Sequence, residues 1–178
     1  MIICAGRNEV FPYATPMGVG LVEMAINLTR QCLFDKPEFL LFVGTAGSYG
    51  ENKIFDIVES KVASNIELSF LEQNSYTPLD NVLESQNKLV KNDTIVNSSN
   101  YISKNKEITE KFKEYNIGCE NMEFYSVLQV AKEFEIPAAG IFCISNFTDE
   151  NAHEDFMKNH KVAMEKLTQY LIKNNIIR

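Results

Sequence analysis

The part of this sequence best suited to chemistry is a glycine-rich segment, Gly44-Thr-Ala-Gly-Ser-Tyr-Gly50. It directly follows the continuously apolar residues Phe39 to Val43, which predict a short buried strand. Glycine allows a sharp turn and lets the backbone approach a ligand closely. We therefore expect a strand that leads into a glycine loop, and we expect that loop to belong to a binding site.

Other well-known chemical motifs are weak in this sequence. Gly18-Val-Gly20 does not continue into the GxGxxG spacing of a dinucleotide site, and no Walker A sequence occurs. His153 and His160 can share a helix face, but without HExxH spacing or a cysteine pair they indicate core or surface positions. We expect no metal. The cysteines lack CxxC spacing, so buried reduced thiols are predicted at Cys4, Cys32, Cys119 and Cys143.

The elements that must position these residues alternate between strands and helices. Apolar or β-branched runs predict strands at 1–5, 39–43, 94–97 and 138–145, with one or two antiparallel strands between 54 and 71. Helical spacing predicts helices at 21–32, 107–115, 122–134 and 151–173. Residues 74–85, with Pro78 and several Asn, Ser and Asp residues, are predicted to form a loop. The order favours an α/β fold, a three-layer α/β/α sandwich around a mixed central sheet, formed by one domain over residues 1–178.

Composition narrows the classes of function. The chain has 178 residues, of which 45% are hydrophobic, and 17 Lys plus Arg against 24 Asp plus Glu give a net charge of −7. Such a chain has no global basic surface, so we expect no nucleic-acid partner. Its apolar runs are far shorter than the roughly 20 residues of a membrane helix, so no membrane association is expected. The N-terminus lacks the pattern of a signal peptide, which predicts a cytoplasmic protein.

Three motifs, in this order, resemble those of the nucleoside phosphorylase and nucleosidase superfamily. They are Gly44-Thr-Ala-Gly47, Asn121-Met-Glu123 and Ile144-Ser-Asn-Phe-Thr-Asp149. The similarity is greatest to the 5′-methylthioadenosine/S-adenosylhomocysteine nucleosidases, with purine nucleoside phosphorylases and futalosine hydrolase as relatives. The resemblance implies the superfamily's fold and cleavage of a purine N-glycosidic bond. The segment from Glu9 to Pro16 is shorter than in that family. The resemblance therefore defines the position of Glu9 and the pocket for the 5′ substituent less well than the rest of the site.

The resemblance assigns ribose binding to Met122 and Glu123. A carboxylate can accept hydrogen bonds from the 2′- and 3′-hydroxyls together, and Met122 would lie beneath the sugar. Without the resemblance, Glu123 would be read as a solvated first-turn glutamate stabilised by the helix dipole, and Met122 as a core residue.

Base binding is assigned to Tyr101, Ile102 and Asn146. Tyr101-Ile102 resembles an aromatic-aliphatic pair that stacks on the purine, although Tyr is also an ordinary residue of a half-buried loop. Family members acting on 6-aminopurines carry Asp in the position of Asn146. An amide cannot donate a proton as an acid, but it can pair with a 6-oxopurine, or it can simply cap a turn. Asp149 could supply the missing acid, or it could cap the last helix.

The nucleophile is expected to lie near the glycine segment. Residues 40–42 are apolar where the hexameric phosphorylases carry an Arg, which favours water over phosphate. Thr45, with the backbone of Gly44, Ala46 and Gly47, and Arg7 could still bind an anion. By resemblance, Glu9 is the candidate for orienting water.

These assignments predict an enzyme that cleaves a purine nucleoside, a small-molecule substrate, by hydrolysis rather than phosphorolysis. A phosphorylase, which is a glycosyltransferase using inorganic phosphate as co-substrate, and a catalytically weak purine-binding protein of the same fold are the alternatives. No organic cofactor is expected. Because family members complete their pockets with a neighbouring subunit, we expect a homodimer or a higher homo-oligomer.

Overall fold

The computed structural model describes all residues from 1 to 178 and contains nine strands and five helices. The strands are β1 (Ile2–Cys4), β2 (Thr15–Pro16), β3 (Leu40–Ser48), β4 (Ile57–Ser60), β5 (Val62–Ser64), β6 (Val82–Glu84), β7 (Ile95–Ser98), β8 (Ile117–Asn121) and β9 (Ala138–Phe147). The helices are α1 (Gly20–Phe34), α2 (Leu68–Leu71), α3 (Lys106–Glu114), α4 (Phe124–Glu133) and α5 (Ala152–Lys173).

All nine strands belong to one mixed sheet with β3 at its centre. The main path runs β2-β1-β3-β8-β7-β5-β6, and β9 pairs with both β3 and β4. Strand β3 is parallel to β1 and β9 but antiparallel to β8. Every residue of β3 is buried, as expected for a central strand covered on both faces.

Helices cover both faces of this sheet. Helices α1 and α4 pack together on one face, over a core that includes Met24, Leu28 and Phe124. Helix α5 covers the other face with Leu167 and Leu171, against β3 and β9. The three-layer α/β/α sandwich around a mixed sheet is therefore confirmed.

The glycine-rich segment is part of the sheet and does not form the loop that we expected. Gly44 to Ser48 continue β3, and the pairing with β9 shifts register between Ala46 and Gly47. Gly47 serves close packing rather than a turn, because a Cβ atom there would lie 2.9 Å from Nδ2 of Asn146. The prediction of a loop was wrong because glycine also occurs where neighbouring side chains cross a strand closely.

Several boundaries differ from those predicted. Strand β8 was not predicted, β6 lies in a segment read as loop, and helix α4 begins at Phe124, two residues after the predicted start. Residues 54–71 form β4, β5 and the short helix α2.

The four cysteines are free and buried, which confirms the prediction of reduced thiols. None of the five helices combines the length and the apolar character needed to span a membrane.

Candidate active site

A cavity of about 280 Å³ opens where β1, β3, β8 and β9 end. Its wall contains most of the residues that the sequence singled out, namely Arg7, Glu9, Thr45, Ala46, Gly47, Tyr101, Ile102, Met122, Glu123 and Asn146. These residues come from five separate stretches of the chain, so only the folded sheet brings them together.

Glu123 is held between β8 and two helix N-termini. Its Oε1 accepts a hydrogen bond from the backbone N–H of Gly20, the first residue of α1, at 2.9 Å. Its Oε2 accepts from Nδ2 of Asn121 at 2.8 Å and from the N–H of Met122 at 3.2 Å. Only 4% of Glu123 is exposed, so the interpretation as a solvated first-turn glutamate was wrong.

The surroundings of Glu123 define what its carboxyl group can still bind. Burial, with a smaller contribution from the nearby Glu9 carboxylate, raises the pKa of Glu123 to about 8, against the lowering effect of the N–H donors of Gly20 and Met122. A carboxylate offers about four acceptor positions, of which three are used here. One position remains for a ligand hydroxyl, so simultaneous acceptance from two hydroxyls would require sharing with a protein donor.

Glu9 and Thr45 form a buried pair beside Glu123. The Oε1 atom of Glu9 accepts hydrogen bonds from the hydroxyl group and the backbone N–H of Thr45, the latter at 3.1 Å. Backbone hydrogen bonds between Gly6 and Glu9, at 3.3 and 3.0 Å, close the tight turn that follows β1 and delivers the side chain inward. Burial raises the pKa of Glu9, whereas the bonds from Thr45 lower it. The short N-terminal segment thus still places Glu9 in the cavity.

Asn146 lies on the cavity floor near the end of β9. Its Oδ1 accepts from the hydroxyl of Ser145 at 2.8 Å, and its Nδ2 donates to the carbonyl of Phe147 at 3.0 Å. Each bond uses half of the amide's capacity, so one N–H and one acceptor position of Asn146 remain for a ligand.

Three of the predicted residues lie at the rim. Tyr101 and Ile102 are 85% and 51% exposed, and their stacking on a base stays a prediction. Arg7 has a positive φ of 53° and pairs with Glu23 at 3.1 Å, between exposed side chains. Arg7 therefore faces solvent and a carboxylate.

Two predicted residues are not part of the cavity wall. Gly44 lies in β3 below it, where a Cβ atom would meet the ring of Phe42 at 3.0 Å. Asp149 lies beyond the end of β9 and accepts a hydrogen bond from the N–H of Asn151 at 2.9 Å, in the turn before α5. The structure therefore does not bring Asp149 to the base position, and the N-cap residue of α5 is Asn151 rather than Asp149.

Five polar or aromatic residues of the wall were not predicted as site residues, namely Asn8, Glu120, Asn121, His153 and Phe156. Glu120 and Asn121 end strand β8, which was not predicted. Phe156 of α5 stacks on His160 at 5.2 Å and also reaches the cavity. No group of three or more His, Cys, Asp or Glu side chains is arranged to hold a metal ion.

Solved structures with the same architecture come from nucleoside-cleaving enzymes. A mutant of the Helicobacter pylori 5′-methylthioadenosine/S-adenosylhomocysteine nucleosidase with 5′-methylthioadenosine in its active site is 19% identical, with a TM-score of 0.82 over 97% of this chain and 95% of that one. Futalosine hydrolase of Helicobacter pylori is also 19% identical, with a TM-score of 0.81 over 96% and 94% of the two chains.

The Neisseria meningitidis 5′-methylthioadenosine/S-adenosylhomocysteine nucleosidase, in complex with methylthio-immucillin-A, is 15% identical, with a TM-score of 0.77 over 93% of each chain. At these identities the likeness establishes the fold alone. No curated protein sequence matches this chain significantly.

The family itself is established by sequence. The sequence model of the phosphorylase superfamily matches residues 79–173, which is more than half of the chain and includes β7, β8, α4, β9 and α5. The matched part carries Tyr101, Glu123 and Asn146, and the sheet joins it to the Glu9–Thr45 pair. The chain therefore belongs to the phosphorylase superfamily.

Proposed function

We propose that this protein hydrolyses the N-glycosidic bond of a purine nucleoside in the cavity between Glu9, Glu123 and Asn146. The observation that carries the proposal is the pairing of Glu9 with Thr45 next to the buried Glu123. Two carboxyl groups with raised pKa values, one after β1 and one after β8 on either side of the central strand β3, suit binding of a sugar and activation of water.

Glu123 is the proposed ribose-binding residue. Its remaining acceptor position suits a ribose hydroxyl. Its ionised form, which predominates above about pH 8, would stabilise the sugar as positive charge develops at C1′. Met122 lies beside it in the cavity wall, which is compatible with a contact to the sugar.

Glu9 is the proposed base for the attacking water. The water oxygen forms a bond to C1′ while the C1′–N9 bond breaks, and the electron pair of that bond leaves with the purine. Glu9 takes up the proton released by the water and then passes it to solvent. The leaving purine takes a proton from solvent water on its ring nitrogen, because the amide of Asn146 cannot supply one. The reaction needs no organic cofactor.

Water is favoured over phosphate because Glu9 already occupies the Thr45 donors. The hydroxyl and the N–H of Thr45 both point to Oε1 of Glu9, and Arg7 is paired with Glu23. A phosphate ion at this place would find its donors occupied and a carboxyl group beside it. This arrangement opposes the phosphorylase alternative.

The base is proposed to be a 6-oxopurine, read by the free N–H and the free acceptor position of Asn146. Its N–H can donate to N7 or O6, and its oxygen can accept from N1–H. Tyr101 and Ile102 would cover the base from the rim.

The decisive experiment measures release of free base from inosine, guanosine, 5′-methylthioadenosine and futalosine, each with and without inorganic phosphate. We expect release without phosphate and no increase on adding it. Measured above about pH 8, where Glu123 is ionised, Glu9→Gln and Glu123→Gln should each lower turnover at least about tenfold, because each removes a carboxylate that acts on the transition state. Glu133→Gln, on the exposed end of α4, is the matched control and should keep wild-type turnover.

Release that depends on phosphate would replace hydrolysis by phosphorolysis. Binding of purines without any release would favour the second candidate, a nucleoside-binding protein. One observation supports that candidate, since Asn146 cannot act as an acid and Asp149 lies outside the cavity wall. The Helicobacter pylori mutant mentioned above holds 5′-methylthioadenosine in its active site, so a member of this fold can retain a nucleoside when altered.

A further inference from the structure

We propose that Glu120 is a positioning residue that fixes the rim segment carrying Tyr101 and Ile102 over the cavity. This inference rests on the proposed function for the role of Tyr101 and Ile102 in base binding. The tether, by which we mean the hydrogen bonds between Glu120 and the rim segment, is a property of the ligand-free protein. Glu120 is one of three carboxyl groups in the cavity wall and the one to which the proposed reaction gives no role.

Glu120 stands beside Asn146 across a single glycine. In the sheet, Gly47 of β3 pairs with Glu120 of β8 on one side and with Asn146 of β9 on the other. A Cβ atom at Gly47 would lie 2.9 Å from Nδ2 of Asn146 and 3.5 Å from Cγ of Glu120. The two side chains therefore lean over Gly47 from opposite sides at the cavity floor.

The carboxyl group of Glu120 receives three hydrogen bonds, two of them from the rim segment. Oε1 accepts from the backbone N–H of Ser103 at 2.9 Å, and Oε2 accepts from the Ser103 hydroxyl at 2.6 Å. The third donor is the hydroxyl of Tyr49, at 2.7 Å from Oε2. Tyr49 is fully buried and stacks on Phe112 at 4.7 Å, so it fixes Glu120 from the core side.

The rim segment has a second tether on the opposite side of Tyr101 and Ile102. The side-chain oxygen of Asn100 accepts from the N–H of Leu21, near the start of α1, at 2.9 Å. The two exposed residues thus lie between Asn100, which is bound to α1, and Ser103, which is bound to Glu120. Releasing the Ser103 end would leave both side chains on a segment anchored at one end only.

Two variants test this tether independently. Glu120→Gln keeps the size of the side chain but removes its charge and one of its two acceptor oxygens, and Ser103→Ala removes only the hydroxyl donor. Each variant removes a hydrogen bond that holds the rim segment in place over the base. Because hydrogen bonds to a charged group contribute strongly, each variant should weaken binding of hypoxanthine about tenfold. Because the base is affected and the reacting groups are not, KM should rise while kcat changes little.

The control is a second hydrogen-bonded Tyr–Glu pair, which is partly buried and lies away from the cavity. Tyr170 donates to Oε1 of Glu59 at 2.7 Å, between α5 and β4. Glu59→Gln removes a carboxylate in the same kind of bond and should leave base affinity and KM unchanged.

Amide hydrogen exchange of the ligand-free protein provides the measurement that does not need a substrate. Exchange at residues 100–103 should accelerate in Glu120→Gln and in Ser103→Ala, and stay at the wild-type rate in Glu59→Gln. Unchanged exchange in both cavity variants would overturn the tether. A second result would also overturn the tether. If Glu120→Gln changes which of hypoxanthine and adenine binds more tightly while Ser103→Ala behaves as wild type, Glu120 contacts the base itself. If no purine binds to any variant, the proposed function fails, and exchange still decides the inference.

Discussion

Three buried carboxyl groups line one small cavity, and each accepts hydrogen bonds from a different set of donors. Glu123 is surrounded by N–H donors, Glu9 by the hydroxyl and N–H of Thr45, and Glu120 by Ser103 and Tyr49. Burial raises the pKa of all three. Concentrating like charges in this way costs folding free energy, which is a common feature of sites that act on protons.

Glu123 should make stability depend on pH. Its pKa rises from 4.5 to about 8 on folding, so the folded state holds a proton that the unfolded state releases. The stabilising contribution is fully present below the unfolded pKa of 4.5 and is lost as pH rises through about 8. The raised pKa values of Glu9 and Glu120 act in the same direction.

We therefore expect the melting temperature to fall between about pH 5 and about pH 9, and to fall less in Glu123→Gln than in the wild type. Differential scanning calorimetry across this range measures both slopes. Glu133→Gln, an exposed substitution, should show the wild-type slope. Equal slopes for all three proteins would mean that Glu123 is already ionised at pH 5.

Asn146 should control the choice of base. If its amide pairs with a 6-oxopurine, hypoxanthine should bind about tenfold to a hundredfold more tightly than adenine, because adenine would leave buried polar groups unpaired. Asn146→Asp should shift this preference toward adenine. Titration calorimetry with both bases measures the shift, with the exposed Asn174→Asp as control. Equal binding of the two bases by the wild type would reduce Asn146 to a turn residue.

At the scale of elements, the start of helix α4 links stability to the site. The Asn121 side chain accepts hydrogen bonds from the N–H groups of Glu123 and Phe124, at 3.1 and 2.9 Å, and donates to Oε2 of Glu123. One amide thus caps the helix and orients the proposed ribose-binding carboxylate.

Asn121→Ala should lower the free energy of unfolding by about 1 to 2 kcal/mol, the usual value of a lost cap, and should also weaken nucleoside binding. The control is Asn105→Ala, since Asn105 caps α3 away from the cavity by accepting from the N–H of Glu107 at 2.8 Å. Chemical denaturation and substrate titration separate the two effects. A binding constant that changes equally in both variants would show that Asn121 acts on stability alone.

Most helices and strands could be predicted from the sequence because their hydrophobic patterns are strong. The prediction failed where residues needed for packing or for the site interrupt the hydrophobic pattern of a strand. The apolar runs of β3 and β9 and the helical spacing of α1, α4 and α5 predicted the layers correctly. Strand β8 was missed because Gly118, Glu120 and Asn121 interrupt its apolar pattern. Gly118 is needed for packing, since a Cβ atom there would lie 2.7 Å from Cγ2 of Thr94.

For the site, each of the three motifs contributes residues to the cavity wall, although Gly44 and Asp149 lie outside it, and residues that only the sheet brings to the cavity were missed. Glu123 and Asn146 lie in recognisable motifs. Glu120 becomes part of the site only because β8 pairs with β3 in antiparallel register, which no local pattern reveals. The shortened N-terminus left Glu9 uncertain for the same reason, since its position depends on a turn and on Thr45.

At the scale of the whole molecule, helix α1 leaves apolar side chains uncovered. Val22, Ile26, Leu33 and Phe34 are 63%, 55%, 69% and 88% exposed. We expect this surface to be covered by a second copy of the chain, which would also bring protein close to the open rim of the cavity.

Light scattering at micromolar concentration should give about twice the chain mass of 20.3 kDa. Replacing Val22 and Ile26, which are one helical turn apart, by Glu should shift the protein toward the monomer by placing charges in the apolar contact. Leu79→Glu, at an exposed apolar residue outside α1, should leave the mass unchanged. A monomeric wild type would contradict the expectation.

The position of β9 has a consequence for how the protein is made. Strand β3 ends at residue 48, but its longest partner, β9, spans residues 138 to 147, and β9 also provides the only partner strand of β4. During synthesis at roughly 5 to 20 residues per second, the edge of β3 that pairs with β9 therefore remains unpaired for several seconds, until β9 has been synthesised. That edge can pair with another nascent chain, so crowded expression should favour aggregation over folding, and slower initiation or a chaperone that holds the first half should improve the yield.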